Sequence, residues 1–427
     1  MSLYGEDVIP HHSLVRQMEA RHIAMISIGG AIGTGVFLGS GSSLADGGPL
    51  GLWLGYVSVA SICYAMMVSL GEMVSFLPIP GGHIALAERF VSPALSFAMG
   101  WNYWYSWAIT LPAELSAAAV LINYWISASR VNNAAWISIC IVVVIGINSM
   151  GARAYGEAEF WFVSIKVLTI IGLIIVGIIL DLGGGPSHDR IGFRYWKNPG
   201  LFVQYHKIPG VTGRFAGWWA AVTQAAYSFT GAEIVGIAAG EAKNPRKTIP
   251  KAIKVVYVLI LLFYILGTFI VGLIVPSNNV DLGVRSNAFS SPFVIAIRNA
   301  GTSGLPSVIN AALLTSAWSA ASSDLYTASR AIYGLAISTM PLPSLLFSGF
   351  SVFLKDNWDT ANFITNYIPY ILSPLLYLFG RYVMYRGAPP VAASEMDFVS
   401  GIAEIEADSY EEEPPKSLVE KLWKWLI

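Results

Sequence analysis

Apolar runs of about twenty residues alternate with short polar stretches along most of the chain. A helix needs ~20 mostly apolar residues to cross a bilayer. By that length, spans fall at 23–46, 50–75, 94–120, 134–150, 160–180, 217–240, 252–275 and 305–328. Two more follow at 340–354 and 364–385, the first of them short for a ~30 Å hydrocarbon core. The pattern predicts an all-α membrane protein with about ten transmembrane helices. It divides the chain into an N-tail at 1–22, a transmembrane domain at 23–385 and a C-tail at 386–427.

Composition agrees with lipid as the main solvent. Of the 427 residues 55% are hydrophobic and 12% charged, with a mean hydropathy of +0.59. Soluble domains carry roughly 25% charged residues, so this chain cannot coat a soluble surface. The net charge of −1 leaves no electrostatic footprint for nucleic acid as a partner. Cys63 and Cys140 both lie in apolar runs and imply neither a disulfide framework nor a metal site. The first 22 residues are polar and hold Glu6, Asp7, His11 and His12. They do not read as a cleavable signal, so the first span is expected to serve as its own insertion signal.

Lys and Arg set the expected orientation. With the N-terminus inside, the inner segments collect Arg16, Arg21, Arg89, Arg153, the cluster Lys243 to Lys254, Arg330, Arg381 and Arg386. Most of the basic residues placed outside belong to the single long loop 181–216. Long loops translocate with less regard to charge, so both termini are expected in the cytoplasm.

The functional signal is two interrupted helices. Span one contains Gly29-Gly30-Ala31-Ile32-Gly33-Thr34-Gly35. Each glycine weakens a helix by ~1 kcal/mol relative to Ala. Lipid cannot satisfy backbone groups freed by a break, so a break must face protein, water or a ligand. Freed amides at a half-helix N-terminus suit a carboxylate. Close helix packing by small residues is the competing reading of the same glycines. A dinucleotide loop is excluded, because no strand precedes the glycines and no βαβ unit follows. Span six carries Ser228-Phe229-Thr230-Gly231-Ala232-Glu233, again a glycine among polar residues at mid-span. Interrupted segments in matching positions of two halves point to a transporter site, and spans one and six match if the fold repeats every five helices.

Charges within spans add candidates, since each costs ~2.5–3.5 kcal/mol at the bilayer centre on insertion scales. Glu114 lies in span three and Glu233 in span six, where they read as functional or as braces of the site. Lys166 reads as about one turn into span five, either snorkelling inward or serving internally. Glu72 and Asp324 read as structural anchors toward the cytoplasmic ends of spans two and eight. No nucleophile–base pair, metal spacing or phosphate loop appears, so an enzyme is not expected.

These residues carry a resemblance. Arg21-His22-Ile23 leads into Ile28-Gly29-Gly30-Ala31-Ile32-Gly33-Thr34-Gly35. Leu70-Gly71-Glu72-Met73, Pro80-Gly81-Gly82-His83, Gly100-Trp101-Asn102-Tyr103-Trp104 and Leu111-Pro112-Ala113-Glu114-Leu115 follow in order. Then come Glu159-Phe160-Trp161-Phe162 with Lys166, Phe229-Thr230-Gly231-Ala232-Glu233, Glu241 to Lys247, and Tyr326-Thr327-Ala328-Ser329-Arg330. The series resembles the fungal-type amino-acid permeases of the amino acid–polyamine–organocation superfamily over 14–338. It resumes near 347–379.

The resemblance implies a five-plus-five inverted-repeat fold and import of amino acids by proton symport. The proton gradient would drive transport, with no bound cofactor. It implies a substrate carboxylate on Ile32 to Gly35, at the amides of Gly33, Thr34 and Gly35. The α-amino group would meet carbonyls of Ser228, Phe229, Thr230 and Gly231, with Phe229 as an aromatic gate. Glu114 would line or brace the pocket and share proton coupling with Lys166. Glu72, Glu233 and Asp324 would be structural or gating residues. No mid-span acid is evidently dedicated to a cationic side chain, which favours neutral amino acids.

The sequence departs from that family near 339–346. There the chain jumps to Phe347-Ser348-Gly349-Phe350-Ser351, which looks like the family's eleventh helix, so a loop and helices nine and ten are missing by comparison. The alternatives are therefore a nutrient sensor that binds amino acids, or a shortened form that does not transport. The plasma membrane is the expected location, with retention in the endoplasmic reticulum if the gap impairs folding. The C-tail combines an acidic stretch, Glu411-Glu412-Glu413, with a terminal amphipathic helix over 417–427 whose Leu418, Leu422, Trp425 and Leu426 share a face. Trafficking or ubiquitin-ligase adaptors are its expected partners, beside lipid and substrate.

Overall fold

The structure, a computed structural model, describes residues 20–338 apart from short gaps at 80, 127–128, 151, 187, 239–244, 283–290 and 302–303. It then describes 372–386 and most of 390–398. The expected N-tail up to residue 19, the junction at 339–346, the ninth span and the terminal amphipathic helix lie outside the described residues. Among the described residues the secondary structure is entirely helical.

Span one begins as Ala20–Ala31, breaks at Ile32 and Gly33, and resumes through a π-helical turn at Gly35–Gly39. The following helix, Ser40–Phe76, holds the end of span one and all of span two. They are separated at Gly48, whose φ of 75° is open to glycine and which precedes a proline that lacks an N–H. The long loop 181–216 seals this corner: Leu50 N donates to Leu201 O at 3.1 Å, and Val203 N to Gly47 O at 3.4 Å. Span three is Pro93–Ile122, capped by Ser92, and span four is Asn133–Ser149, capped by Asn132. Span five is Ala152–Asp181 and span eight is Leu305–Ser338. Span six is Gly210–Ser228 followed by Ile234–Ala238, and span seven runs from Pro245 to Ile274 through a π-helical turn at Leu262–Leu266. Residues 372–384 are helical within the expected tenth span.

Spans five to eight start earlier or end later than apolar length predicts. Span eight has 34 residues, about 50 Å at the α-helical rise, against a hydrocarbon core of ~30 Å. The extra turns carry polar side chains into the headgroup region, and a rule based on apolar runs stops short of them. Lys166 changes position as a result. It lies near the middle of span five, several turns from either end.

Polarity is inverted relative to a soluble domain. Ile62, Val142 and Leu168 are each about two-thirds exposed, while Lys166, at 0% exposure, is fully buried with Glu114, Glu159 and Asp324. Aliphatic side chains outside and ionisable groups inside are what lipid requires.

Spans one and six are five crossings apart and so run in opposite directions through the bilayer. Their breaks meet at the centre. A Cβ on Gly35 would lie 3.1 Å from Ser228 Cα, and one on Gly231 would lie 2.5 Å from Gly30 O. Gly231 also has a φ of 104°, so both its backbone and its surroundings demand glycine. At the opposite end from the sealed corner, the helix Gly82–Phe90 between spans two and three is strapped by the chain beyond residue 390. Arg89 pairs with Asp397 at 3.1 Å, Val391 N donates to Val91 O at 2.8 Å, and Phe90 packs on Phe398.

Candidate substrate and proton site

A break in a helix frees carbonyls on one side and amides on the other. Here the freed groups find protein partners. Tyr264 of span seven inserts its hydroxyl between the two C-terminal ends. Tyr264 Oη lies 2.6 Å from Ala31 O and 2.8 Å from Ser228 O, so its single proton is shared by the last carbonyls of both half-helices. Tyr56 Oη reaches Ser228 Oγ at 3.0 Å. Phe229 packs edge-on against Tyr264 with ring centroids 4.7 Å apart, and lies 6.3 Å from the Tyr56 ring.

On the amide side of span one, Glu114 is the partner. Its Oε1 accepts from Thr34 N at 3.3 Å and from Thr34 Oγ1 at 3.0 Å. Gly33 is required beside it, since a Cβ there would lie 2.8 Å from the same oxygen. A carboxylate of the protein itself therefore sits at the half-helix N-terminus, in the place given above to the substrate carboxylate. Span six is closed differently: Gly231 N donates to Glu233 Oε2 at 3.0 Å, a cap from two residues away.

Between the breaks lies a cavity of about 20 Å³, room for about one water. It is lined by Gly30, Ala31, Gly33, Gly35, Trp107, Thr110, Glu114, Tyr227, Ser228, Thr230, Ala320 and Asp324. Trp107, Thr110 and Glu114 share one face of span three by helical spacing, and Ala320 and Asp324 share one of span eight. Glu114 Oε2 and Asp324 Oδ2 are buried without a hydrogen-bond partner among the described residues.

Several expected residues fall elsewhere. Asp324 is not an anchor at a span end; it stands in the cavity wall. That placement also removes the premise for preferring neutral amino acids, because a second mid-span acid faces the cavity. Glu72 is exposed near the end of span two, away from the cavity. The side chain of Ile32 is buried in the core. Phe229 packs behind the breaks, and Tyr227 takes the place in the cavity wall expected of it. Lys166 lies behind span one, where Nζ donates to Gly29 O at 2.8 Å. Its electrostatic neighbours are Glu159, Glu114 and Asp324. Trp107, Thr110, Tyr227 and Tyr264 carry no local sign in the sequence, and only tertiary placement brings them to the breaks.

The amino acid permease family profile matches residues 22–341. The chain belongs to the amino acid permease family. It is 45% identical to the dicarboxylic amino acid permease of Saccharomyces cerevisiae over 76% of this chain and 54% of that protein. It is 44% identical to the proline-specific permease of Emericella nidulans, over 78% of this chain and 62% of the relative. It is also 44% identical to the lysine-specific permease of Saccharomyces cerevisiae, over 75% and 52%. The chain thus spans little more than half the length of these relatives. Family membership makes it an integral membrane protein of a transporter family, not of an enzyme family.

Proposed function

We propose that the chain imports amino acids by proton symport, with both termini cytoplasmic and the plasma membrane as its site of action. The observation that carries this reading is Glu114 on the donors of Thr34. A substrate carboxylate seeks the same amide, with its ammonium toward the negative C-terminal ends at Ala31 and Ser228. The contracted cavity has no room for an amino acid while Glu114 holds Thr34. Protonation would remove the charge of Glu114, weaken its hold and open the site, so proton and substrate arrive together. Lys166 on Gly29 O would tie the first half-helix to the same proton.

Uptake of radiolabelled amino acids at two external pH values, in permease-deficient cells, tests the proposal. One proton per substrate lets one unit of pH gradient sustain about a tenfold accumulation. Lys166→Met should abolish that pH-driven component while surface expression is kept. Full pH-dependent accumulation by Lys166→Met would overturn its coupling role.

A second reading is favoured by the jump near 339–346, close to residue 341 where the family match stops. If helices nine and ten are required for movement, the chain would bind amino acids without carrying them, either as a sensor or as a shortened form. Uptake seen only after the missing segment is restored would select this reading.

A further inference from the structure

The resemblance assigned no role to Glu159, and the cavity between the breaks does not include it. It lies two helical turns before Lys166 on the same face of span five. Both side chains press on one residue of span one: Lys166 Nζ donates to Gly29 O at 2.8 Å, and a Cβ on Gly29 would collide with Glu159 Oε1. Glu159 is buried. Its Oε1 accepts from Ser319 Oγ at 2.6 Å and from Ser323 Oγ at 3.1 Å, both on span eight. Its Oε2 is buried with no partner among the described residues. Ser323 Oγ in turn lies 3.4 Å from Tyr155 Oη, one turn from Glu159 toward the N-terminal end of span five. Tyr155 stacks flat on Tyr326, 4.5 Å between centroids, and the Arg330 guanidinium lies 4.0 Å from the Tyr326 ring.

We propose that Glu159 receives the coupling proton from Lys166 and passes it along the Ser323 and Tyr155 hydroxyls to the N-terminal end of span five. This rests on the symport reading, in which that end faces the cytoplasm. The charged and titratable groups around Glu159 are Lys166 and Tyr155 on its own helix, Asp324, Tyr326 and Arg330 on span eight, and Glu114 on span three. Span one offers the backbone of Gly29. Glu114 is engaged with Thr34, and Asp324 faces the cavity. Glu159 is the carboxylate behind span one with hydroxyls leading away from the substrate.

The step balances. The two side chains are electrostatic neighbours that make no direct contact in this structure, so the transfer requires Lys166 Nζ to leave Gly29 O and reach Glu159. An N–H bond of its ammonium then breaks and an O–H bond forms at Glu159 Oε2, turning two buried charges into a neutral amine and a neutral acid. Two neutral partners cost less than two charges in a low-dielectric interior. Rotation of the carboxyl group then presents its proton to Ser323 Oγ. Ser323 gives its own hydroxyl proton to Tyr155 Oη, and Tyr155, buried under Tyr326 in this structure, gives its own to water when the cytoplasmic end opens. Afterwards Ser323 donates to Glu159 and Tyr155 donates to Ser323, the arrangement seen in this structure.

The test compares pH-driven accumulation with counterflow of labelled against unlabelled amino acid, which moves substrate without net proton release. Glu159→Gln keeps an acceptor for both serines but cannot take a proton. It should lose about tenfold of accumulation, the equivalent of one unit of pH gradient, and keep counterflow within about threefold of wild type. Glu159→Asp should restore part of the accumulation. Tyr155→Phe keeps the ring stack and should slow the approach to the steady level without lowering that level. Wild-type accumulation by Glu159→Gln beside an inactive Lys166→Met overturns the role of Glu159 alone. Loss of counterflow together with accumulation in Glu159→Gln, at normal surface level and unrelieved in Glu159→Asp, makes Glu159 structural and also overturns it. Full accumulation by Lys166→Met removes the donor and brings down both readings.

Discussion

The two broken helices solve one problem in different ways. In span six the amide of Gly231 is capped by Glu233, two residues along the same chain segment. In span one the amide of Thr34 is capped by Glu114, eighty residues away on another helix. A local cap forms with the turn itself, and its further neighbour is the Tyr103 hydroxyl of span three. A distant cap joins the break to the state of span three, and through the shared electrostatics of Glu114, Lys166, Glu159 and Asp324 to spans five and eight. On the symport reading, span six supplies the more local opening, whereas span one supplies an opening that a proton would change. Tyr264 is the exception that serves both, because its hydroxyl meets the last carbonyl of each first half-helix.

That shared hydroxyl gives the largest expected effect. Tyr264→Phe leaves the ring and its packing on Phe229 but withdraws from two carbonyls the proton they share. Each buried group left unsatisfied costs about 1–3 kcal/mol. Both breaks should be destabilised together, with uptake down more than about tenfold and a lower melting temperature in detergent. Unchanged stability and uptake would mean that water replaces the hydroxyl and that the two breaks are independent.

Glu114→Gln separates charge from shape in span one alone. The amide oxygen can still accept from Thr34, but the group no longer titrates. Uptake should persist at a reduced rate, with its dependence on external pH flattened by up to about tenfold per pH unit. A pH profile parallel to wild type would place the coupling proton elsewhere and make Glu114 a fixed cap like Glu233.

The asymmetry also explains what the sequence could disclose. Both breaks were legible because glycine among polar residues at mid-span has a local cost that lipid cannot meet. Glu114 and Lys166 stood out because a charge among apolar residues is costly, although Lys166, read as one turn into its span, could also have been a snorkelling residue. Asp324 was misplaced because span eight runs well past its apolar stretch, so its middle looked like its end. Tyr264, Tyr56, Trp107 and Tyr227 were silent for another reason. An aromatic residue in a membrane helix is ordinary packing until the fold shows what its polar atom touches. The hydroxyl ladder from Glu159 through Ser323 to Tyr155 needs two helices in register, and no pattern within either helix encodes that.

Glu233→Gln gives the smallest expected effect and the sharpest check on the difference between the breaks. The side chain of Gln still offers an oxygen to Gly231 N, and replacing a charged acceptor by a neutral one weakens a cap by about 1 kcal/mol or less. Gly231 keeps its left-handed turn, which depends on the absence of a Cβ and not on the cap. Uptake should fall by no more than a few-fold, the pH profile should keep its shape, and the decrease should be the same at both external pH values. If instead Glu233→Gln flattens the pH profile as Glu114→Gln is expected to do, span six also carries a proton-sensitive break, and the division between a fixed and a switchable half of the site does not hold.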